Sequence, residues 1–147
     1  MNLNYKTLFR IFRKNYFFKL GKHLIILYVS DQKRSRDFYV NLFGIEPELD
    51  VNGMTIFHLG EFGLNLGIIP EDGIREILGN SVSDPASGNG IPRCELYLYV
   101  NNPDDYFDKA LKLNALPVSI GQTRNCGEFV SYVSDQDGHI LAFAKKI

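Results

Sequence analysis

An internal duplication constrains the fold of this chain more than any other feature. The tripeptide Leu27–Val29 recurs as Leu98–Val100, 71 residues later, with a tyrosine between Leu and Val in both copies. A polar turn and a helix-like stretch follow each copy, and three runs of strand-forming residues come after each helix. Two halves with the same order of elements indicate a repeated βαβββ module, because a long internal period constrains the fold more strongly than any local pattern.

The first half predicts a strand over Leu24–Val29 and an amphipathic helix that ends at Gly44. Either Ser30 or Asp31 is expected to cap this helix by accepting a hydrogen bond from a backbone N–H of its first turn. Gly44 can adopt the left-handed conformation that commonly terminates a helix. The strand-like runs that follow are Ile45–Val51, Met54–Leu59 and Phe62–Ile69.

The second half predicts a strand that includes Leu98–Val100 and a helix over Pro103–Ala115. Between the halves, Glu71–Asn80 predicts a short helix, and residues 81–93 have the composition of a flexible linker. The later strand-like runs are Val118–Gln122, Phe129–Ser134 and His139–Ala144. We therefore expect one domain with four parts, namely an arm 1–22, a module 23–70, a helix and linker 71–92, and a module 93–147.

Composition places the chain among globular proteins. Its 147 residues are 45% hydrophobic and 22% charged, which is enough for one domain with a substantial core. No apolar run approaches the roughly 20 residues of a membrane-spanning helix. The two cysteines, Cys94 and Cys126, lack a metal-ligand or CxxC spacing and indicate reduced thiols. We therefore expect a cytoplasmic protein.

The N-terminal arm differs in charge from the rest of the chain. Residues 1–22 hold six basic and no acidic residues, whereas the remainder holds ten basic against seventeen acidic residues. An acidic body argues against nucleic acid as a partner. Apolar and aromatic residues form one helical stripe in the arm, so we expect it to pack on its own domain or a sister subunit, with contact to a membrane surface as the less favoured alternative. The stripe is Leu8, Phe12, Tyr16 and Leu20.

Three segments carry a family resemblance: LIILYVSDQKRSRDFYVNLFGI, ELYLYVNNPDDYFDKAL and SDQDGHILAFA. Together they resemble the vicinal-oxygen-chelate superfamily of glyoxalases, bleomycin-resistance proteins and extradiol dioxygenases, over about residues 23–147. The resemblance implies an α+β fold in which two βαβββ modules form a half-open mixed β-barrel with helices outside and a ligand site inside. Members of this superfamily commonly dimerise, so the resemblance also implies a homodimer.

The metal-dependent members hold a metal at one position on the first and one on the last strand of each module. The resemblance places these positions at Leu24, Asn65, Glu95 and Ala142. Leucine and alanine have no donor atoms, so we expect no metal, no cofactor and no glyoxalase-type or dioxygenase-type reaction. The metal-like side chains elsewhere lack a recognisable ligand spacing. That rival set is His23, His58, Glu95 and His139.

Alternation along the strands predicts which side chains face the cavity. Ile25, with Leu27 and Val29, is expected to cover the first helix. A hairpin at Gly60-Glu61 would place His58 opposite Gly63 and Ile56 opposite Asn65, and the small residues there would leave room for a ligand. The predicted pocket consists of Leu24, Ile26, Tyr28, Met54, Ile56, His58, Asn65, Glu95, Tyr97, Tyr99 and Ala142.

This residue mixture suits a flat or amphipathic small organic molecule, because aromatic walls stack on it and a few polar groups orient it. Glu95 is the only carboxylate in the predicted pocket and favours a cationic guest. His139 is expected to cap a turn or pack at a strand start. No nucleophile is positioned beside a base, so we assign no catalytic residue. A competing interpretation is that the tyrosines merely favour strand formation on a half-hydrated face, where Glu95 is solvated.

Three functions follow from these patterns. The leading one is a metal-free protein that binds and sequesters an aromatic or cationic organic ligand, as the resemblance to bleomycin-resistance proteins implies. The first alternative is a lyase, isomerase or dioxygenase-type enzyme of the same superfamily, with an unorthodox metal site around Glu95 and His58. The second is an interaction module that uses the basic arm.

Overall fold

A computed structural model describes residues 24–60, 64–92 and 94–147. The expectations for the arm, His23 and Gly63 therefore lie outside the described residues. None of the helices in these ranges has the length and apolar character needed to cross a membrane. The elements of the first half are β1 Leu24–Val29, α1 Gln32–Phe43, β2 Leu49–Val51, β3 Met54–Leu59 and β4 Leu64–Pro70, and α2 Glu71–Leu78 follows them. Those of the second half are β5 Glu95–Tyr99, α3 Pro103–Lys112, β6 Leu116–Thr123, β7 Glu128–Ser134 and β8 Ile140–Lys146.

Each half forms one four-stranded mixed sheet. The strand orders are β1-β4-β3-β2 and β5-β8-β7-β6, so the two halves share one topology. In each sheet the first strand pairs parallel with the last, and the remaining pairs are antiparallel. This confirms the predicted α+β fold of two βαβββ modules. Over the described part of the chain the sheets stay separate and do not close into a barrel.

The predicted helix boundaries are largely confirmed. Asp31 caps α1, since its Oδ1 accepts a hydrogen bond from the Arg34 backbone N–H at 2.9 Å, and Gly44 ends α1 in the left-handed conformation with φ 69°. The third helix ends at Lys112 rather than at the predicted Ala115. Asn114 adopts a left-handed φ of 68°, which the helix cannot continue through.

One hydrophobic core lies between the helices and the sheets, and residues of both modules contribute to it. Its largest side chains include Tyr39 and Leu42 of α1, Phe57 of β3 and Phe143 of β8, all with no exposed surface. Because strand residues alternate between faces, the opposite face of each sheet points away from this core. We call these two surfaces the outer faces, because they point away from the core. They carry the side chains that the sequence predicts to line the cavity.

Ile25 does not cover the first helix as predicted. It is 46% exposed, whereas Leu27 and Val29 on the same side of β1 are buried. Helix α1 packs against β3 and β4, and β1 is the edge strand of its sheet, so the beginning of β1 is left uncovered.

The turn between β7 and β8 joins the two modules. The Asp137 carboxylate accepts hydrogen bonds from the backbone N–H and Oγ of Ser30, from Arg34 Nη2 at 2.8 Å and from Ser35 Oγ at 3.0 Å. Burial of Asp137 opposes its ionisation, but these donors outweigh that effect and lower the pKa of the carboxyl. The second module thus contributes an anionic cap to the start of α1.

Two further contacts fix this turn. The Tyr39 hydroxyl donates to Asp135 Oδ2 at 2.8 Å inside the core, and His139 Nε2 lies 2.9 Å from the Tyr28 carbonyl oxygen. A Cβ on Gly138 would lie 2.6 Å from Gly90 Cα, so the segment between the modules also packs closely here. That segment, predicted as a flexible linker, contains a 3₁₀ turn over Pro85–Gly88.

Candidate functional site

The outer face of the first sheet has a different register from the predicted one. His58 lies opposite Asn65 rather than Gly63, and Ile56 lies opposite Gly67 rather than Asn65. The prediction assumed a two-residue turn, but Leu59 pairs with Leu64, so the connection spans residues 60–63. A shift of two residues preserves the alternation, and these side chains therefore stay on the predicted face.

This first outer face is apolar and largely filled by its own side chains. A Cβ on Gly67 would lie only 3.0 Å from Ile26 Cγ1 and 3.4 Å from Leu24 Cδ2, so these side chains occupy the room that the small residue was expected to leave. Asn65 is 3% exposed, and its Oδ1 lies 3.2 Å from His58 Nδ1. The exposed apolar side chains here are Ile26, Tyr28, Leu49 and Val51.

Tyrosine side chains cover the central strand on the outer face of the second sheet. Ala142 and Ala144 of the central strand β8 have no exposed surface, although they point away from the main core. Tyr97 from β5 and Tyr132 from β7 pack against them from the two neighbouring strands. The predicted hollow at Ala142 is therefore occupied by tyrosine rings, and a ligand would lie on top of them.

Two tyrosine hydroxyls converge on one carboxylate of this second outer face. Tyr97 donates to Glu128 Oε2 at 2.6 Å, and Tyr99 donates to Glu128 Oε1 at 2.7 Å. These hydrogen bonds lower the pKa of Glu128 and raise the pKa values of Tyr97 and Tyr99. Glu128 is therefore an anion at neutral pH, and both phenols are neutral.

The rings of this pair form an open corner beside Glu128. Their centroids are 5.6 Å apart and their planes make an angle of 67°. Tyr97 packs against the alanines beneath it, whereas Tyr99 is 63% exposed. A flat guest can therefore contact an exposed aromatic ring next to a negative charge.

A cation lies on the other side of the same face. The Arg124 guanidinium carbon is 5.3 Å from the centroid of the Tyr132 ring, and Arg124 Nη2 donates to Ser119 Oγ at 2.7 Å. Arg124 also donates its backbone N–H to the carbonyl oxygen of Glu128 at 2.8 Å. The Arg124 Nε–H is buried and, among the described residues, has no hydrogen-bond acceptor.

Neither Glu128 nor Arg124 was among the residues predicted from the sequence. The expectation that Glu95 is the only carboxylate of the pocket is wrong, since Glu128 contacts the tyrosines of the same face. Glu95 itself is exposed and pairs with Ile140 at the start of its strand. Extending the alternation back from Tyr132 through Val130 would have identified Glu128, because β7 begins one residue earlier than predicted.

The donor set at the superfamily's metal positions does not fit a divalent metal. Leu24 lies beside Asn65 in one sheet, and Ala142 lies beside Tyr97 in the other, so hydrocarbon side chains stand where ligands are required. Within residues 24–60, 64–92 and 94–147, no three His, Cys, Asp or Glu side chains come together as ligands. The groups present on the second face are suited to noncovalent binding through aromatic and charged contacts.

These features define an α+β protein with two βαβββ modules and an aromatic, charged sheet face. Residues 22–143 match the Glyoxalase/Bleomycin resistance protein/Dioxygenase superfamily, and the chain belongs to it. This confirms the resemblance found in the sequence. No curated protein matches the chain by sequence.

Solved structures agree with this fold. A glyoxalase-related enzyme from Fulvimarina pelagi matches with a TM-score of 0.70 and 21% identity, covering 82% of this chain and 84% of that one. A glyoxalase/bleomycin resistance protein/dioxygenase family enzyme from Burkholderia phytofirmans matches with a TM-score of 0.72 and 12% identity, over 84% and 97% of the two chains. A glyoxalase/bleomycin resistance protein/dioxygenase from Nocardioides matches with a TM-score of 0.66 and 15% identity, over 96% and 92%. At these identities the likeness concerns the fold alone.

Proposed function

We propose that this protein binds and sequesters an aromatic, cationic organic molecule without a metal, and that the outer face of the second sheet is the binding site. The observation that carries this proposal is the convergence of the Tyr97 and Tyr99 hydroxyls on Glu128. The proposal keeps the ligand class expected from the sequence and moves its negative partner from Glu95 to Glu128.

The physical basis is the combination of a fixed anion with exposed aromatic surface. Two hydroxyl donors hold the carboxylate in place and lower the pKa of Glu128, so little ordering is needed when a cation arrives. Cation–π attraction to a ring such as Tyr99 contributes about 0.5–1 kcal/mol at an exposed site. Charge and ring together favour an aromatic amine over a neutral aromatic compound.

Membership of the superfamily is compatible with this role, since its name includes bleomycin-resistance proteins. The residues at the superfamily's metal positions disfavour the glyoxalase-type and dioxygenase-type reactions, because two of the four side chains are hydrocarbon. Binding of a ligand without a chemical reaction requires only aromatic and charged groups, and the second face has both.

The test is isothermal titration calorimetry with bleomycin and with phenethylamine. Wild-type protein is expected to bind at least one of them with one site per chain, and Glu128→Gln is expected to weaken that binding about fivefold. Glu95→Gln is the matched control, because it removes a carboxylate from an exposed position at the strand start, and it should change the affinity less than twofold. Absence of heat with both probes, or a larger loss in Glu95→Gln, would refute the proposal.

Metal analysis of the purified protein separates this function from the enzymatic alternative. We expect less than stoichiometric zinc, nickel, manganese or iron. A stoichiometric metal that is lost in Glu95→Gln or His58→Gln would favour the enzyme instead.

We also propose that the protein is a homodimer of the cytosol. The first outer face exposes apolar side chains, among them Val51 at 51% and Ile26 at 39%, and a second copy would cover them. Cys94 and Cys126 are both exposed and unpaired, which fits a reducing compartment. Analytical ultracentrifugation should give a dimer that Val51→Lys weakens, and a monomer at all concentrations would contradict this part.

A further inference from the structure

We propose that the ligand is a zwitterion, whose acidic group is bound by Arg124 while its cationic group lies at Glu128. This inference rests on the proposed function, since it concerns the same face. It assigns the anion-binding role to a residue outside the superfamily's metal positions, and it narrows the ligand class from aromatic cations to aromatic compounds that carry both charges.

The hairpin between β6 and β7 holds the two charges at neighbouring positions. The Arg124 backbone N–H donates to the Glu128 carbonyl oxygen at 2.8 Å, and the Gly127 N–H donates to the Arg124 carbonyl oxygen at 3.0 Å. Glu128 begins β7, so the charges flank one tight turn. Their relative position is therefore set by backbone hydrogen bonds and needs little adjustment on binding.

The two side chains are directed to different partners across the face. Glu128 accepts from Tyr97 and Tyr99 of β5, whereas Arg124 lies over Tyr132 and donates to Ser119. Glu128 therefore extends toward β5, whereas Arg124 lies over β7 next to β6, so the two charged groups occupy different parts of the face. A guest whose two charged groups lie apart can reach both charges at once.

Arg124 retains binding capacity that the described residues do not use. Its Nε–H is buried and has no acceptor among them, and its Nη1 contact with Gln122 Oε1 is long, at 3.5 Å. A buried N–H without an acceptor costs free energy until one arrives. Guanidinium groups bind carboxylates and phosphates through their N–H donors, so an acidic group can displace the exposed Gln122 side chain and accept from Nη1.

The same arrangement disfavours guests with only one charge. An aromatic acid without an amine is repelled by Glu128 and by the acidic body of the protein. An aromatic amine without an acid satisfies Glu128 but leaves the Arg124 guanidinium without an anionic partner. A zwitterion of matching length satisfies both groups.

The test uses three probes that share one benzene ring and differ in the charged groups they carry, namely 4-(2-aminoethyl)benzoate, phenethylamine and 4-ethylbenzoate. Calorimetry with the full chain should show 4-(2-aminoethyl)benzoate, whose two charges lie at opposite ends of the ring, binding about five times more tightly than phenethylamine, with 4-ethylbenzoate weakest. Arg124→Gln should abolish the preference for the zwitterion over phenethylamine. Arg124→Lys, which keeps the charge without the paired donors, should retain only part of the preference.

Lys112→Gln is the matched control, because it removes an exposed cation from the end of α3, and it should leave all three affinities unchanged. If phenethylamine binds and 4-(2-aminoethyl)benzoate binds no better, the zwitterion is refuted while the proposed function stands. If Arg124→Gln weakens phenethylamine as much as 4-(2-aminoethyl)benzoate, Arg124 acts on the shape of the face, and the inference also fails. Failure of all three probes to bind refutes the zwitterion, and the proposed function is refuted as well only if bleomycin also fails to bind.

Discussion

The outer faces of the two sheets started from one duplicated module and now differ in chemistry. At positions 71 residues apart, the first face has Leu24, Ile26 and Tyr28, where the second has Glu95, Tyr97 and Tyr99. The core-facing residues between them have changed much less, as Leu27 and Leu98 show. One core must be filled by both modules, so its side chains are restricted, whereas the outward positions are free to diverge.

The two faces also differ in the kind of side chain that covers their small residues. On the first face, aliphatic side chains cover Gly67, and the surface they form is apolar. On the second face, Tyr97 and Tyr132 cover Ala142 and Ala144, and the hydroxyl of Tyr97 reaches Glu128. Both faces fill their hollow, but only tyrosine does so while presenting a polar group at its outer end.

The largest predicted difference between the faces is in the free energy of unfolding that is lost when one tyrosine is removed from each. Tyr97→Ala is expected to lower the free energy of unfolding by about 2–3 kcal/mol, because it uncovers the two alanines and removes a hydrogen bond to Glu128. Tyr28→Ala, at a position 36% exposed, should cost less than about 1 kcal/mol. Urea denaturation measures both, and equal losses would show that the two faces are packed alike.

The next effect concerns the turn that holds both modules together. Asp137→Asn should lower the free energy of unfolding by about 1–2 kcal/mol at pH 7, because it weakens the hydrogen bonds to Ser30, Ser35 and Arg34. The pKa of Asp137 is lower in the folded chain than its unfolded value of about 3.9. Its contribution is therefore present above about pH 4 and is lost as the pH falls through the folded pKa.

Denaturation at several pH values checks this sign. The stabilities of wild type and Asp137→Asn should converge as the pH falls below about 4 and passes through the lowered folded pKa of Asp137, where the carboxylate of the wild type becomes protonated. A difference between the two proteins that stays constant through this range would contradict an ionised Asp137 at the junction.

A smaller effect should appear in the titration of Glu128. Tyr99→Phe removes one of its two hydroxyl donors, so the pKa of Glu128 should rise and its carboxylate should take up a proton at a higher pH. Binding of an aromatic cation should then fall off at a higher pH than in the wild type. Carbon-13 NMR of the Glu128 carboxyl measures the shift, with Tyr28→Phe on the first face as the control. An unchanged pKa in Tyr99→Phe would mean that this hydrogen bond contributes little.

The smallest effect is expected for a polar group of the first face. His58→Gln should change ligand affinity less than twofold and stability by less than about 0.5 kcal/mol, because His58 is exposed and belongs to the other sheet. Calorimetry with phenethylamine measures it. A tenfold loss of affinity would show that the ligand contacts both faces, and the contrast between them would no longer hold.

The sequence was enough to predict the architecture, because the repeat, the caps and the alternation are local or periodic signals. Strand β1 was predicted at its observed bounds, and Gly44 ends α1 as expected. Alternation depends only on parity, so the register error at His58 left its side chain on the predicted face.

The binding site was harder to predict. Glu128 and Arg124 lie beside a hairpin turn, where strand patterns end and boundaries are least certain. Their partners come from different strands, since Glu128 contacts tyrosines two strands away. Contacts of that kind depend on side-chain length and direction, which a pattern along one chain does not contain.

The most direct measurement is tyrosine-ring NMR during a titration with phenethylamine. The chain has eight tyrosines, and single Tyr→Phe variants assign those on the two faces. If the second outer face binds the ligand, the resonances of Tyr97 and Tyr99 shift to saturation while that of Tyr28 stays fixed. Saturable shifts of Tyr28 with unmoved Tyr97 and Tyr99 would place the ligand on the first sheet and contradict the assignment of the site.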